Sequence, residues 1–156
     1  KRAVKGMSNA SARVMAQCGV ASEQIDLCIP HQANLRIIEG VAKYAGVPME
    51  KVMLTVQKYG NMSAATVPVA LVEALDTGRV RPGATLLMPA FGAGLTFCSL
   101  IVKWGDRVTP LGTSDRALPP ATKTALEMVN EIRAIQDPHG RSLAGLMAPL
   151  FVENRG

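Results

Sequence analysis

Ile25-Asp26-Leu27-Cys28-Ile29-Pro30-His31-Gln32-Ala33-Asn34-Leu35-Arg36 changes periodicity part-way along. Ile25–Ile29 is short and mostly apolar, as a buried strand is. From Ala33 to Ala45 the pattern is helical. Leu35, Ile38, Val41, Ala42 and Ala45 fall on one face, and Arg36, Glu39 and Lys43 on the other. Gly46 and Pro48 close that helix. His31 therefore falls at a strand-to-helix junction, where α/β folds hold polar groups at the mouth of a site.

On the N-terminal side, Val4, Met7, Ser11, Val14, Met15 and Cys18 have helical spacing, and Gly19 is the expected stop. On the C-terminal side, Val52–Val56 reads as a second strand and Lys58–Met62 as a turn. Ser63 is placed to cap a helix running to about Thr77. That helix is apolar all round and is expected to lie buried between layers. Thr85–Ala90 and Thr96–Val102 are continuous apolar runs, the pattern of strands covered on both faces. Phe91-Gly92-Ala93-Gly94 joins them with small residues. The fold class is α/β, with three or four strands covered by helices on both faces.

Residues 1–104 form this body, and residues 105–156 a linker and helical extension. Pro119-Pro120 is expected to open the extension's helix, with Ala125, Met128, Val129, Ile132 and Ile135 on one face. Asp137-Pro138 is expected to stop it, and residues 141–156 are only weakly helical.

The chain has 156 residues, 48% hydrophobic and 19% charged, which is the composition of a globular domain. No apolar run reaches membrane-spanning length. The chain opens Lys1-Arg2 inside a helical pattern, without an initiator Met, so a longer polypeptide is expected. The net charge of +5 resides in residues 1–104, where 11 Lys and Arg meet 6 Asp and Glu; residues 105–156 hold 6 of each. The basic excess favours acidic or phosphate-bearing partners. An aromatic content of 4% and no basic cluster argue against nucleic acid. Three cysteines in apolar contexts suit reduced, buried thiols in a cytoplasm. Two histidines, at 31 and 139, give no metal-ligand spacing.

Singly, a histidine after a strand, a Gly-Asn turn and a Gly-rich link are weak signals. Their order and spacing are not. Pro30-His31-Gln32-Ala33-Asn34, then Gly60-Asn61-Met62-Ser63-Ala64-Ala65, then Ala90-Phe91-Gly92-Ala93-Gly94-Leu95-Thr96 resemble β-ketoacyl-acyl-carrier-protein synthase III, a condensing enzyme of the thiolase fold. The resemblance covers roughly residues 1–104. It implies that His31 and Asn61 promote decarboxylation of malonyl-carrier protein, and that the carbanion attacks an acyl-cysteine. Losing CO₂ leaves negative charge on a thioester oxygen, and two fixed donors stabilise it; one such donor is typically worth about 3–4 kcal/mol.

The resemblance also implies that Phe91 shapes the acyl pocket and that the backbone at Ala93 helps form an oxyanion hole. Asn34 matches a contact to the pantetheine arm. Arg36, with Lys43 on the same helical face, matches a carrier-protein docking position. No nucleophile is expected here: the family's cysteine lies in its N-terminal half, and Cys18, Cys28 and Cys98 read as structural thiols. The implied partners are acyl carrier protein, acyl-CoA, malonyl-carrier protein, the N-terminal half and a second subunit. The substrates carry CoA or phosphopantetheine, and no metal or bound cofactor is expected. Alone, the chain is expected not to condense substrates. Competing readings are a non-catalytic carrier-docking module, and a related polyketide or alkylquinolone synthase.

Overall fold

A computed structural model describes residues 2–109, 120 and 122–136. The chain divides into two units, Lys1–Thr113 and Ser114–Gly156.

In the first unit, α1 (Arg2–Cys18) ends at Gly19, whose positive φ of 62° suits a residue without a Cβ. The chain then turns into β1 (Leu27–Cys28). Although β1 is short, its pairing extends further. The N–H groups of Asp26, Ile29 and His31 donate to the carbonyls of Thr85, Leu87 and Pro89. The strand thus carries His31 to the end of the sheet. Pro89 has no N–H and can only accept there. α2 (Leu35–Ala45) follows at once, capped by the Asn34 side chain and closed by Gly46 at φ 69°.

The sheet has three strands in the order β1, β2, β3, with β2 (Thr85–Gly92) central. β1 runs parallel to β2, with Leu27 beside Leu86 and Cys28 beside Leu87. β2 and β3 (Thr96–Lys103) form an antiparallel hairpin, with Thr85 opposite Lys103 and Gly92 opposite Thr96. One face of the sheet packs Leu87 and Cys28 against Ile38, Ala42 and Val14 from α1 and α2. The other packs Leu27, Ile29, Leu86 and Met88 against Ala70 and Ala74 of α4 (Thr66–Asp76). Helices thus cover both faces of β1 and β2, as the α/β reading requires.

Several expectations are corrected. Val52–Val56 is not a strand: only Val52 bridges to Cys28. The N–H groups of Thr55 and Val56 turn instead to the Gln32 carboxamide, and α3 (Val56–Tyr59) begins there. Ser63 caps nothing. It adopts φ 55° and its N–H donates to Asn61, while a tight turn over Ser63–Ala65 delays α4 to Thr66. α4 buries only one face, Thr66, Ala70 and Ala74, and leaves Val72 54% exposed. β3 is not covered on both faces. Phe97, Ser99 and Ile101 are partly buried, whereas Cys98 and Leu100 are exposed. α1 packs on the first set, with the Ser11 and Ser99 hydroxyls 3.3 Å apart; among the described residues nothing closes over the second. Of the three cysteines only Cys28 is buried, and burial pushes its thiol up to about 12. Leu35 is also more exposed than its helical face suggested.

In the second unit, α5 (Ala125–Gln136) starts well after Pro120. Its start is set by Thr124 and Glu127: each backbone N–H donates to the other's side chain. Met128, Val129, Ile132 and Ile135 are exposed. The expected stop at Asp137-Pro138, Pro119 and residues 141–156 lie outside the described residues.

Candidate active site

His31 is buried at the end of β1. Its backbone N–H donates to Pro89 at 2.8 Å, which anchors the residue on the central strand. Its ring meets Phe91 edge-on, with centroids 5.2 Å apart and planes at 81°. Nδ1 lies 2.5 Å from the Thr66 hydroxyl. Burial lowers the His31 pKa below its ordinary value and favours the neutral ring at neutral pH.

Asn61 stands in the loop between α3 and α4. The Ser63 N–H donates to its Oδ1 at 3.0 Å. That bond decides the amide orientation, because a backbone N–H needs an acceptor. It leaves the Asn61 NH₂ as the group available to a ligand. The loop is braced at both ends. Lys58 pairs with Glu73 at 2.6 Å, and the Tyr59 hydroxyl donates to the same carboxylate. These bonds hold Glu73 below the usual carboxylate range and raise Lys58.

His31, Asn61, Phe91 and Ala93 line one cavity of about 810 Å³, with Thr66 and Met88. The structure thus brings together both proposed decarboxylation residues, the aromatic residue and the Gly-rich turn. No carboxylate, lysine or arginine is among its lining residues. Neutral donors in a mostly apolar setting suit stabilisation of a developing anion, because low polarity strengthens each hydrogen bond.

The remaining candidates lie apart from this cavity. Asn34 is exposed, and its Oδ1 accepts the Ile37 N–H at 3.0 Å as the cap of α2. Arg36 and Lys43 are exposed on α2. Cys98 lines the cavity, contrary to its reading as a buried structural thiol. No group of three or more metal-ligating side chains occurs among the described residues.

Two residues here escaped the sequence. Gln32 is fully buried and uses its whole carboxamide: Nε2 donates to Pro30 at 2.8 Å and Met53 at 3.0 Å, and Oε1 accepts from Thr55 and Val56. It ties the His31 strand end to the segment leading into Asn61. Thr66 is the other, and no sequence spacing pairs it with His31.

The family of 3-oxoacyl-[acyl-carrier-protein (ACP)] synthase III, C terminal, matches residues 15–104. The chain belongs to that family. A β-ketoacyl-[acyl-carrier-protein] synthase III 2 of Vibrio cholerae is 49% identical over 131 residues, which is 84% of this chain and 36% of that protein. A match of 131 residues is longer than the 104-residue body and therefore runs into the extension. The synthase III structure of Aquifex aeolicus is 44% identical with a TM-score of 0.64, covering 65% of this chain and 33% of that one. That of Pseudomonas aeruginosa is 36% identical with a TM-score of 0.67, covering 70% and 34%. The fold is thus the thiolase-like one of the synthases III, and the chain spans about a third of the relatives' length.

Proposed function

We propose that this chain supplies the decarboxylating half of a synthase III active site. Malonyl-carrier protein loses CO₂ in the cavity, and His31 and Asn61 donate hydrogen bonds to the thioester oxygen of the resulting enolate. The carbanion attacks an acyl group carried on a cysteine outside residues 1–156, giving a 3-oxoacyl product. The observation that carries this reading is the shared cavity: His31 and Asn61 come from separate segments, yet both line it, beside Phe91. The neutral ring expected of a buried His31 suits a donor that must not trap its product as an ion pair.

Phe91 bounds the acyl pocket in this reading, and the turn at Ala93 borders the acyl-thioester oxygen. Asn34, beyond capping α2, meets the pantetheine arm. Arg36 and Lys43 receive an acidic carrier protein, which accords with the basic excess of residues 1–104. The enzyme works as a cytoplasmic homodimer without a bound cofactor or metal. No described helix is long and apolar enough to cross a membrane.

The test is product formation from an acyl-CoA and malonyl-carrier protein by the gene product that carries this chain. His31→Ala and Asn61→Ala are each expected to lower turnover by about 10²–10³-fold, the effect of deleting one oxyanion donor. Turnover unchanged in both variants overturns the reading. Condensation by residues 1–156 alone overturns the assignment of the nucleophile elsewhere.

A further inference from the structure

α3 is too short to place Asn61 by itself. It has four residues, Val56–Tyr59, and one turn of helix does not hold its shape alone. Gly60 follows at φ 66° and ψ −160°, a conformation open to glycine and to few other residues. Asn61 therefore stands where contacts from outside put that turn.

Two sets of side-chain hydrogen bonds reach the turn from other parts of the chain. At its start, the Gln32 carboxamide takes the N–H groups of Thr55 and Val56. At its end, the Lys58 ammonium and the Tyr59 hydroxyl both donate to one oxygen of Glu73, Oε1. Lys58 also stands 4.8 Å from the centroid of the Tyr59 ring. Glu73 lies on α4, two helical turns or about 10 Å beyond Thr66, the residue hydrogen-bonded to His31. One helix thus touches His31 at its first turn and holds the arm of Asn61 further along.

Stability is a poor reason for this grip. The Lys58 side chain is 58% exposed and that of Glu73 24%, and an ion pair so open to water adds little to folding. We infer that Glu73 is a positioning residue: its carboxylate fixes the end of α3 on α4 through Lys58 and Tyr59, and so keeps the Asn61 carboxamide at the cavity. Glu73 is not among the residues that line the cavity and acts only through this loop. Its effect on catalysis rests on the donor role proposed for Asn61; its hold on the loop does not.

The test uses the gene product that carries this chain. Deuterium exchange of residues 55–65 reads the loop, and CO₂ release from malonyl-carrier protein and acyl transfer from acyl-CoA read the two half-reactions. Glu73→Ala is expected to speed the exchange and to slow CO₂ release by about 10–10²-fold, the effect of a displaced group. Acyl transfer and the thermal midpoint are expected to stay near the parent. Glu73→Gln keeps an acceptor for both donors and is expected to stay close to the parent throughout. In an Asn61→Ala background, Glu73→Ala is expected to slow CO₂ release no further, because the group it acts through is gone. Parent-like exchange or parent-like CO₂ release in Glu73→Ala, an equal loss in Glu73→Gln, or losses that multiply in the double variant overturn the inference. CO₂ release at the parent rate in Asn61→Ala alone removes the proposed function instead, and the exchange of residues 55–65 still decides whether Glu73 holds the loop.

Discussion

Gln32 touches none of the proposed reacting atoms, yet it joins the two segments that carry them. Replacing it with Leu leaves the N–H groups of Thr55 and Val56 and the carbonyls of Pro30 and Met53 without that partner. Each buried group left unpaired costs about 1–3 kcal/mol, so Gln32→Leu is expected to lose about 3 kcal/mol or more in urea unfolding. Sequence placed Gln32 inside a motif but could not say what it holds, because three of its four partners lie 21 to 24 residues away. His31 and Asn61 were legible for the opposite reason: each stands at a punctuated junction, after Pro30 and after Gly60. His31 also gives a pH prediction. Its folded-state pKa lies below the ordinary 6.5 of the unfolded chain. Above pH 6.5 neither state is charged at this residue and full stability is present. As pH falls below that value the unfolded chain takes up the proton first, and stability is lost until the folded-state pKa is passed. Thermal midpoints are expected to fall across that window, and to fall less in His31→Gln.

The elements were legible where one local signal decided them. α1 and α2 follow from periodicity and from Gly19 and Gly46, and the two long strands from their continuous apolar runs. One failure came from a partner distant in sequence, for Gln32 diverts Val52–Val56 from strand to helical turn; the other was local, for the Asn61 side chain two residues upstream takes the Ser63 N–H. Apolar runs also overstated burial, since continuous hydrophobicity cannot say which residues cover a strand. One feature of α1 joins helix to sheet. A Cβ on Gly6 would stand 2.2 Å from the Phe97 ring, so α1 lies close on β3 only because that residue has no side chain. Gly6→Ala gains helix propensity of about 1 kcal/mol but must displace the ring. The net expectation is a loss of about 1–2 kcal/mol, read by chemical denaturation. At the start of α2, Asn34→Ala is expected to cost about 1 kcal/mol through the lost cap. Asn34→Asp keeps the cap, so a defect in substrate binding in Asn34→Asp at near-parent stability would separate pantetheine contact from helix stability.

At the scale of the molecule, the described residues leave apolar surface open. Leu100 is 58% exposed on β3 and Val72 is 54% exposed on α4. Such surface drives association when nothing covers it. The 156-residue chain is expected to sediment as associated species, and Leu100→Lys to shift it toward monomer; a monodisperse parent monomer would count against this. In the proposed reading the site has the same incomplete character: it gathers donors for an enolate, and Cys98, the thiol among its described lining residues, lies within β3 rather than at a helix N-terminus. The central claim is therefore a division of labour, with decarboxylation here and acyl transfer elsewhere. Its most direct test measures both half-reactions in the gene product that carries this chain: CO₂ release from malonyl-carrier protein, and acyl transfer from acyl-CoA to the enzyme. The account predicts that Asn61→Ala slows CO₂ release by about 10²–10³-fold while acyl transfer stays near the parent rate. Unchanged CO₂ release, or an equal loss in both half-reactions, would contradict it.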